Sequence, residues 1–282
     1  MTRALAPSIE CPCAGAHRTE AYAYDRPPMG ETRFDLGATA YRRSYARCGL
    51  CGHWFGAHDL DLSALYAADY VDKTYGGSAG MAARFARILA LPPERSDNAG
   101  RVARLSALAD ALLPPAMPRR LLDIGAGLGV FPAGMAAKGW AVLAVEPDPR
   151  TVVHLREVVG VEALEQPIEA LSREEIGGFA LVSFNKVLEH VEEPAAMLRH
   201  AGRLLLPGGL VYVEVPDGEA ASGDPDGPAR EEFFIEHHHV FSPASLAILV
   251  ARAGFVLRRL EALREPSGKY TVWAVAETRE AP

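Results

Sequence analysis

Three groups of residues have the types and spacing to do chemistry. The first is four cysteines, Cys11, Cys13, Cys48 and Cys51, all in the first fifth of the chain. In the run Cys48-Gly49-Leu50-Cys51-Gly52 two thiolates separated by two residues can turn toward one tetrahedral ion, so two such pairs suit a structural zinc. Cys11-Pro12-Cys13 is one residue tighter than a standard knuckle, which brings in His17 or His53 as substitute ligands and free buried thiols as the alternative. The second group is Glu236, His237, His238 and His239 in FFIEHHHVFSP. An imidazole of ordinary pKa, about 6.5, can take a proton at neutral pH, and a neighbouring carboxylate can orient it. In an extended segment His237 and His239 would share a face. The third group is Asp123, Gly125, Gly127, Gly129 and Glu146. Glycines let the backbone turn sharply and bring a ligand against bare main chain. A carboxylate such as Glu146 can accept hydrogen bonds from both hydroxyls of a vicinal diol, which suits a ribose.

The elements that must position these groups can be read from periodicity. Leu121 to Ile124 is a short apolar run closed by glycines, the pattern of a buried strand. A helix over 131–138, capped by Gly139, leads to a second apolar strand over 140–145 that delivers Glu146 at its end. This is a βαβ unit with a ligand crevice outside the strand ends. The alternation continues with a helix over 149–159, strands over 161–164 and 179–185, a helix over 194–206 and a strand over 210–216. Two strands over 255–262 and 270–277 close the chain. Strands alternating with helices imply an α/β fold, a mostly parallel sheet with both faces covered. Helices are expected over 59–75, 79–91 and 101–113, and short strands over residues 1–60. The boundaries follow: a zinc-binding module over 1–60 and a larger domain over 61–282. The segment 217–230, DGEAASGDPDGPAR, reads as a loop, either a movable flap or plain surface.

Composition narrows the partners. The chain has 282 residues, 49% of them hydrophobic, enough for one large domain with an appendage. Its 36 acidic residues against 29 Lys and Arg give a net charge of -7, with no electrostatic footprint for nucleic acid. No apolar run reaches about 18 residues, and the N-terminal MTRALAPSIECPC lacks the apolar core of a signal peptide. The expectation is a soluble cytoplasmic protein with no membrane partner, whose thiols stay reduced. Oligomeric state is not readable.

The pattern DIGAGLG followed by VEPD resembles the first motif of class I S-adenosylmethionine (SAM) methyltransferases. A dinucleotide fingerprint would instead want a small residue where Val130 stands, which makes an NAD(P)-dependent oxidoreductase the alternative. The resemblance implies a Rossmann-like methyltransferase sheet whose last strand is antiparallel. It implies Asp123 near the methionine end of SAM, the glycines around the cofactor, Glu146 at the ribose, and Pro147 among the cofactor-binding residues. LEQPIEAL would bring Pro167 and Ile168 to the adenine, and FNKVLEHV would bring Asn185 and Lys186 to the methionine part. LLPGG, residues 205–209, matches the turn before the fifth strand.

A cysteine-rich module together with a Glu-His pair before Phe241 and Ser242 resembles the nucleotide-sugar C-methyltransferases. There a base removes the proton beside a keto group and the enolate attacks the methyl. Glu236 and His237 fall on that pair. The tyrosine two residues earlier is Phe234 here, so a phenol for the enolate oxygen is missing and methylation of a hydroxyl stays open. Tyr70 or Tyr75 could supply a phenol, and His190 is a further candidate base. The expected function is a SAM-dependent methyltransferase acting on a small molecule such as a nucleotide-linked sugar. A non-catalytic SAM-binding partner subunit is a further alternative.

Overall fold

The computed structural model describes residues 10–15, 17–31, 40–58, 60 and 77–278. Its strands are β1 (Arg18–Tyr24), β2 (Arg43–Cys48), β3 (Trp54–His58), β4 (Arg120–Ile124), β5 (Ala141–Glu146) and β6 (Glu162–Glu165). They are followed by β7 (Phe179–Asn185), β8 (Leu205–Pro216), β9 (His239–Val240), β10 (Phe255–Arg264) and β11 (Tyr270–Thr278). Seven of them form one sheet in the order β10-β11-β8-β7-β4-β5-β6. Pairing is parallel from β6 through β8, while β11 runs antiparallel to both β8 and β10. This is the Rossmann-like methyltransferase sheet expected from the sequence.

The helices are α1 (Gly77–Leu89), α2 (Asp97–Leu112), α3 (Val130–Ala136), α4 (Pro149–His154), α5 (Arg173–Ile176), α6 (Pro194–Leu204), α7 (Gly218–Ser222) and α8 (Pro243–Arg252). They cover both faces because the strand residues alternate. Leu121, Leu181 and Tyr212 pack with Val102, Leu105 and Ala109 of α2. Their neighbours Leu122, Val182 and Val213 pack on the opposite face with Leu198 of α6 and Leu246 of α8. Leu105 is fully buried, and truncating such a leucine to alanine costs about 2–5 kcal/mol. α2 starts four residues earlier than the apolar period suggests, because the Ser96 hydroxyl accepts the Ala99 N–H at 3.1 Å and caps the helix.

Three other expectations shift. The helix over 149–159 is α-helical only to His154 and then widens into a π turn over Leu155–Val159, ended by Gly160 at φ 78°. LLPGG is not a separate turn, since β8 already begins at Leu205, which pairs with Phe179 before a register shift. The segment 217–230 is no open flap. Asp217 caps α7 by accepting the N–H groups of Glu219 at 3.0 Å and Ala220 at 3.1 Å. Arg230 donates to the Gly268 carbonyl at 2.8 Å and pairs with Glu232 and Asp224, while the Tyr24 hydroxyl donates to the Pro228 carbonyl at 2.7 Å. The expected helix over 59–75, with Tyr70 and Tyr75, lies outside the described residues.

The N-terminal strands form a second sheet in the order β1-β2-β3-β9. Its fourth strand comes from the histidine run, through Trp54 paired with Val240 and Phe55 with His239.

Candidate active site

The glycine turn is closed to side chains at two points. Gly125 sits at φ 66°, and a Cβ there would lie 2.7 Å from Val187 Cγ2. Gly129 sits at φ 73°, and a Cβ there would lie 2.6 Å from Val159 Cγ2, a contact the π turn creates. Glu146, at the carboxyl end of β5, accepts the Gly127 N–H and so ties the turn to the second strand. Burial outweighs that bond and raises the Glu146 pKa to about 7. Asp123, one strand over, accepts from the Ser183 hydroxyl at 2.6 Å and from Asn185 Nδ2 at 2.9 Å. Burial again wins, and its pKa is raised to about 7.

These residues open onto a cavity of about 880 Å³, which Pro147, Pro167 and Ile168 also line. The amide of Asn185 is spent on Asp123, while its Oδ1 is buried with no hydrogen-bond partner. That orphaned acceptor and the cradle at Gly125 and Gly129 fit a nucleoside carrying a donor group on its tail, with a diol on Glu146. Lys186 follows at φ 58°, a conformation that costs roughly 1–2 kcal/mol for a side-chain-bearing residue. Its N–H donates to the Glu214 carbonyl at 2.8 Å, and its Nζ donates to Thr271 Oγ1 at 2.8 Å.

Glu214 closes the floor from β8. It accepts from Arg101 Nε of α2 at 2.7 Å, from a second Arg101 nitrogen and from the Tyr212 hydroxyl at 2.6 Å, with Lys186 Nζ 3.9 Å away. Burial raises its pKa, but the Arg101 charge and bonds outweigh burial and hold it down at about 2. Four strand ends therefore place Asp123, Glu146, Asn185 and Glu214 side by side, as their cross-strand registers require.

His237 lines the same cavity. Its Nδ1 lies 2.9 Å from the Glu232 carbonyl, which can only accept, so Nδ1 carries the hydrogen and Nε2 keeps a lone pair. Burial, then the neighbouring His190, pushes the His237 pKa well below 6.5. The His190 ring stands edge-on to His237 with centroids 4.9 Å apart, and His190 Nδ1 donates to the Glu236 carbonyl at 2.9 Å. His239 does not share the face of His237. The chain turns at His237, whose N–H meets the Phe234 carbonyl at 3.1 Å, and only His239 and Val240 are extended. His239 Nε2 donates to the Glu192 carbonyl at 3.3 Å, its Nδ1 accepts from His53 Nε2 at 2.8 Å, and His53 Nδ1 meets Ser245 Oγ at 3.2 Å. Phe234 lines the cavity without a polar atom on its ring.

A family model described as "Methyltransferase domain" matches residues 92–260, more than half of the chain. The chain belongs to this family. Over 99 residues it is 37% identical to the ubiquinone biosynthesis O-methyltransferase of Xanthomonas oryzae pv. oryzae (strain PXO99A), covering 33% of this chain and 41% of that protein. Over 126 residues it is 33% identical to the ubiquinone biosynthesis O-methyltransferase of Xanthomonas axonopodis pv. citri (strain 306), covering 43% and 52%. The chain thus spans about half the length of these relatives, or less. It also resembles the solved structure of Burkholderia thailandensis 1,6-didemethyltoxoflavin-N1-methyltransferase with bound 1,6-didemethyltoxoflavin and S-adenosylhomocysteine. That likeness has a TM-score of 0.52 at 20% identity, covers 89% of this chain and 100% of that one, and is a likeness of fold. Among the described residues no helix is long and apolar enough to cross a membrane.

Outside the methyltransferase sheet, the four cysteines converge. The Sγ atoms of Cys11 and Cys13 are 3.3 Å apart, those of Cys11 and Cys51 3.5 Å, and those of Cys13 and Cys48 3.7 Å. Four thiolates held about 2.3 Å from a tetrahedral zinc stand about 3.8 Å from one another, so the donor set fits that ion. None of the four forms a disulfide. His53, a possible substitute ligand, is turned away to Ser245 and His239.

Sequence reasoning missed Arg101, Glu214 and Glu189. Glu214 left a signal, a carboxylate amid the apolar run VYVEVP. Its partner Arg101 lies on a helix far back in sequence and left none.

Proposed function

We propose that this methyltransferase moves the methyl of SAM to a small-molecule acceptor, with nucleotide-linked sugars as the acceptor class. The observation that carries the reading is one cavity lined both by the Gly127–Glu146 cradle and by His237, whose Nε2 keeps its lone pair. When bound, SAM supplies a methyl on a positively charged sulfur, open to in-line displacement. Glu146 holds the ribose diol, Asn185 Oδ1 and Asp123 hold the amino-acid tail, and Pro147, Pro167 and Ile168 flank the nucleoside. His237 receives the acceptor's proton, oriented by the Glu232 carbonyl, and Glu236 lines the cavity beside it.

The sequence resemblance points to carbon or oxygen as the attacking atom. Phe234 supplies no donor for an enolate oxygen, so carbon draws no support. Tyr75, the proposed alternative phenol, lies outside the described residues. We assign a structural zinc to Cys11, Cys13, Cys48 and Cys51 on their sulfur separations, and divide the chain into a zinc module over 1–60 and a methyltransferase domain over 61–282.

Equilibrium titration with SAM and with NADH, read by tryptophan fluorescence, followed by labelled-methyl transfer to a panel of sugar nucleotides, tests the reading. Tight SAM binding with turnover is expected. Preference for NADH would overturn it, and SAM binding with no turnover on any acceptor would make the chain a non-catalytic subunit. Metal analysis of the purified protein should give about one zinc per chain; none at all would end the zinc assignment.

A further inference from the structure

We propose that the acceptor presents an amine to the histidine end of the cavity, so that nitrogen is the attacking atom; this rests on the methyl-transfer reading above. Glu189, on the turn after β7, is 1% exposed, and neither of its carboxylate oxygens has a hydrogen-bond partner. Glu236 Oε2 is likewise buried and unpartnered. Both residues line the cavity. One ligand atom each from Glu189, His190 and His237 lie within 4.8 Å of one another. Lys186 and Lys269, the cations whose charge reaches Glu189, are committed elsewhere: Lys186 to Thr271 and Glu214, and Lys269 to Glu231 at 2.9 Å.

What remains is the Glu189 carboxyl, Glu236 Oε2 and the Nε2 lone pair of His237, electron-pair donors that a ligand can satisfy. A hydroxyl offers one donor hydrogen and a carbon acid none, whereas a primary ammonium offers three. At N–H···acceptor distances of about 2.9 Å, tetrahedral directions set two acceptors about 4.7 Å apart, inside the 4.8 Å that bounds the Glu189 and His237 ligand atoms. Charge points the same way. An enolate or alkoxide would form as an anion in a cavity that the buried acids Glu189 and Glu236 line, with no donor from Phe234. Burial raises the Glu189 pKa to about 8, so its carboxyl is largely neutral near pH 7. An entering ammonium favours the ionised form, which then stabilises the positive charge that develops on nitrogen as the amine attacks.

The step balances with the parts at hand. One ammonium proton passes to Nε2 of His237. The nitrogen lone pair forms the N–CH3 bond as the S–CH3 bond of SAM breaks, and the electron pair of that bond stays on sulfur as a neutral thioether. The positive charge has moved from sulfur to nitrogen, and the His237 proton is released to water.

The test uses the full chain saturated with S-adenosylhomocysteine and matched probe pairs that differ only by an amino or a hydroxyl group, beginning with UDP-glucosamine and UDP-glucose. Calorimetry should show the amino member binding on the order of tenfold tighter on at least one skeleton, a gain lost in Glu189→Gln. Mass spectrometry after turnover with SAM should find the new methyl on nitrogen. An amino group that adds no affinity on any skeleton, or an advantage that survives in Glu189→Gln, would overturn the proposal. So would Mn²⁺ binding that depends on Glu189, which would make the cluster a metal site. Unchanged SAM affinity in Glu189→Gln excludes misfolding. A methyl found on oxygen or carbon sinks only the amine, whereas absent SAM binding in the parent chain sinks the underlying reading.

Discussion

At the glycine-turn end of the cavity, Asp123, Glu146, Asn185 and Glu214 come from the carboxyl ends of four neighbouring strands, and each is fixed within the large sheet or by the helix over it. At the histidine end, position is set by contacts between segments far apart in sequence. The Tyr45 hydroxyl of the small sheet lies 2.8 Å from the His237 carbonyl and 2.9 Å from that of Phe234, and donates to one of them. Gly56 N–H donates to the His238 carbonyl at 2.9 Å, and His238 N–H donates to the Glu189 carbonyl at 2.8 Å. One end is a property of a sheet edge; the other is a property of two sheets held together. The two should therefore respond separately to perturbation.

The largest separation is expected from His237→Ala. Methyl transfer should fall by about 10²–10⁴-fold while SAM affinity stays within about twofold; single-turnover assays and calorimetry read the two quantities. A parallel loss of both would merge the two ends into one unit. Next is acid stability at the glycine-turn end. The Glu214 pKa is lowered from 4.5 to about 2 in the fold, so its stabilisation is fully present above about pH 4.5 and is lost as pH falls through 2. The loss amounts to roughly 3 kcal/mol, seen as a drop in urea midpoint that Glu214→Gln should not show.

A smaller effect should come from Glu146→Gln, which weakens SAM about 10–30-fold by replacing a charged acceptor with a neutral one. Because the Glu146 pKa is raised to about 7, SAM affinity of the parent chain should climb as pH rises through that value. A Gln variant with the same climb would place the titration elsewhere. Smallest is Tyr45→Phe, which removes one donor at the histidine end. It should cost about 1 kcal/mol of stability and slow transfer a few-fold with SAM affinity unchanged; weaker SAM binding would show that the small sheet reaches across the cavity.

Legibility in the sequence follows the same division. The glycine turn, the strand and helix alternation and the acid after β5 are local patterns, set by side-chain period and by backbone positions only glycine can take, so they could be read in order. The final two strands were legible for the same reason, and their antiparallel pairing followed from the family resemblance. The histidine end was legible only as a run of residue types. That His237 faces the cavity while His239 turns to His53 depends on a turn at Phe234 and on strand pairing across more than half the chain. The segment 217–230 misled because its Gly, Pro and Asp content describes the backbone alone, whereas Gly268, Tyr24 and Tyr270 supply partners from elsewhere.

The pairing of β3 with β9 has a consequence for anyone hoping to exchange parts between relatives. Two residues, His239 and Val240, belong by hydrogen bonding to a sheet whose other strands all precede residue 60. Replacing the first 60 residues with those of another family member would strip that short ribbon of its neighbour and bare a sticky rim beside the histidines. A workable chimera would have to carry the two lengths of chain across together, as a single transplant with two cut sites.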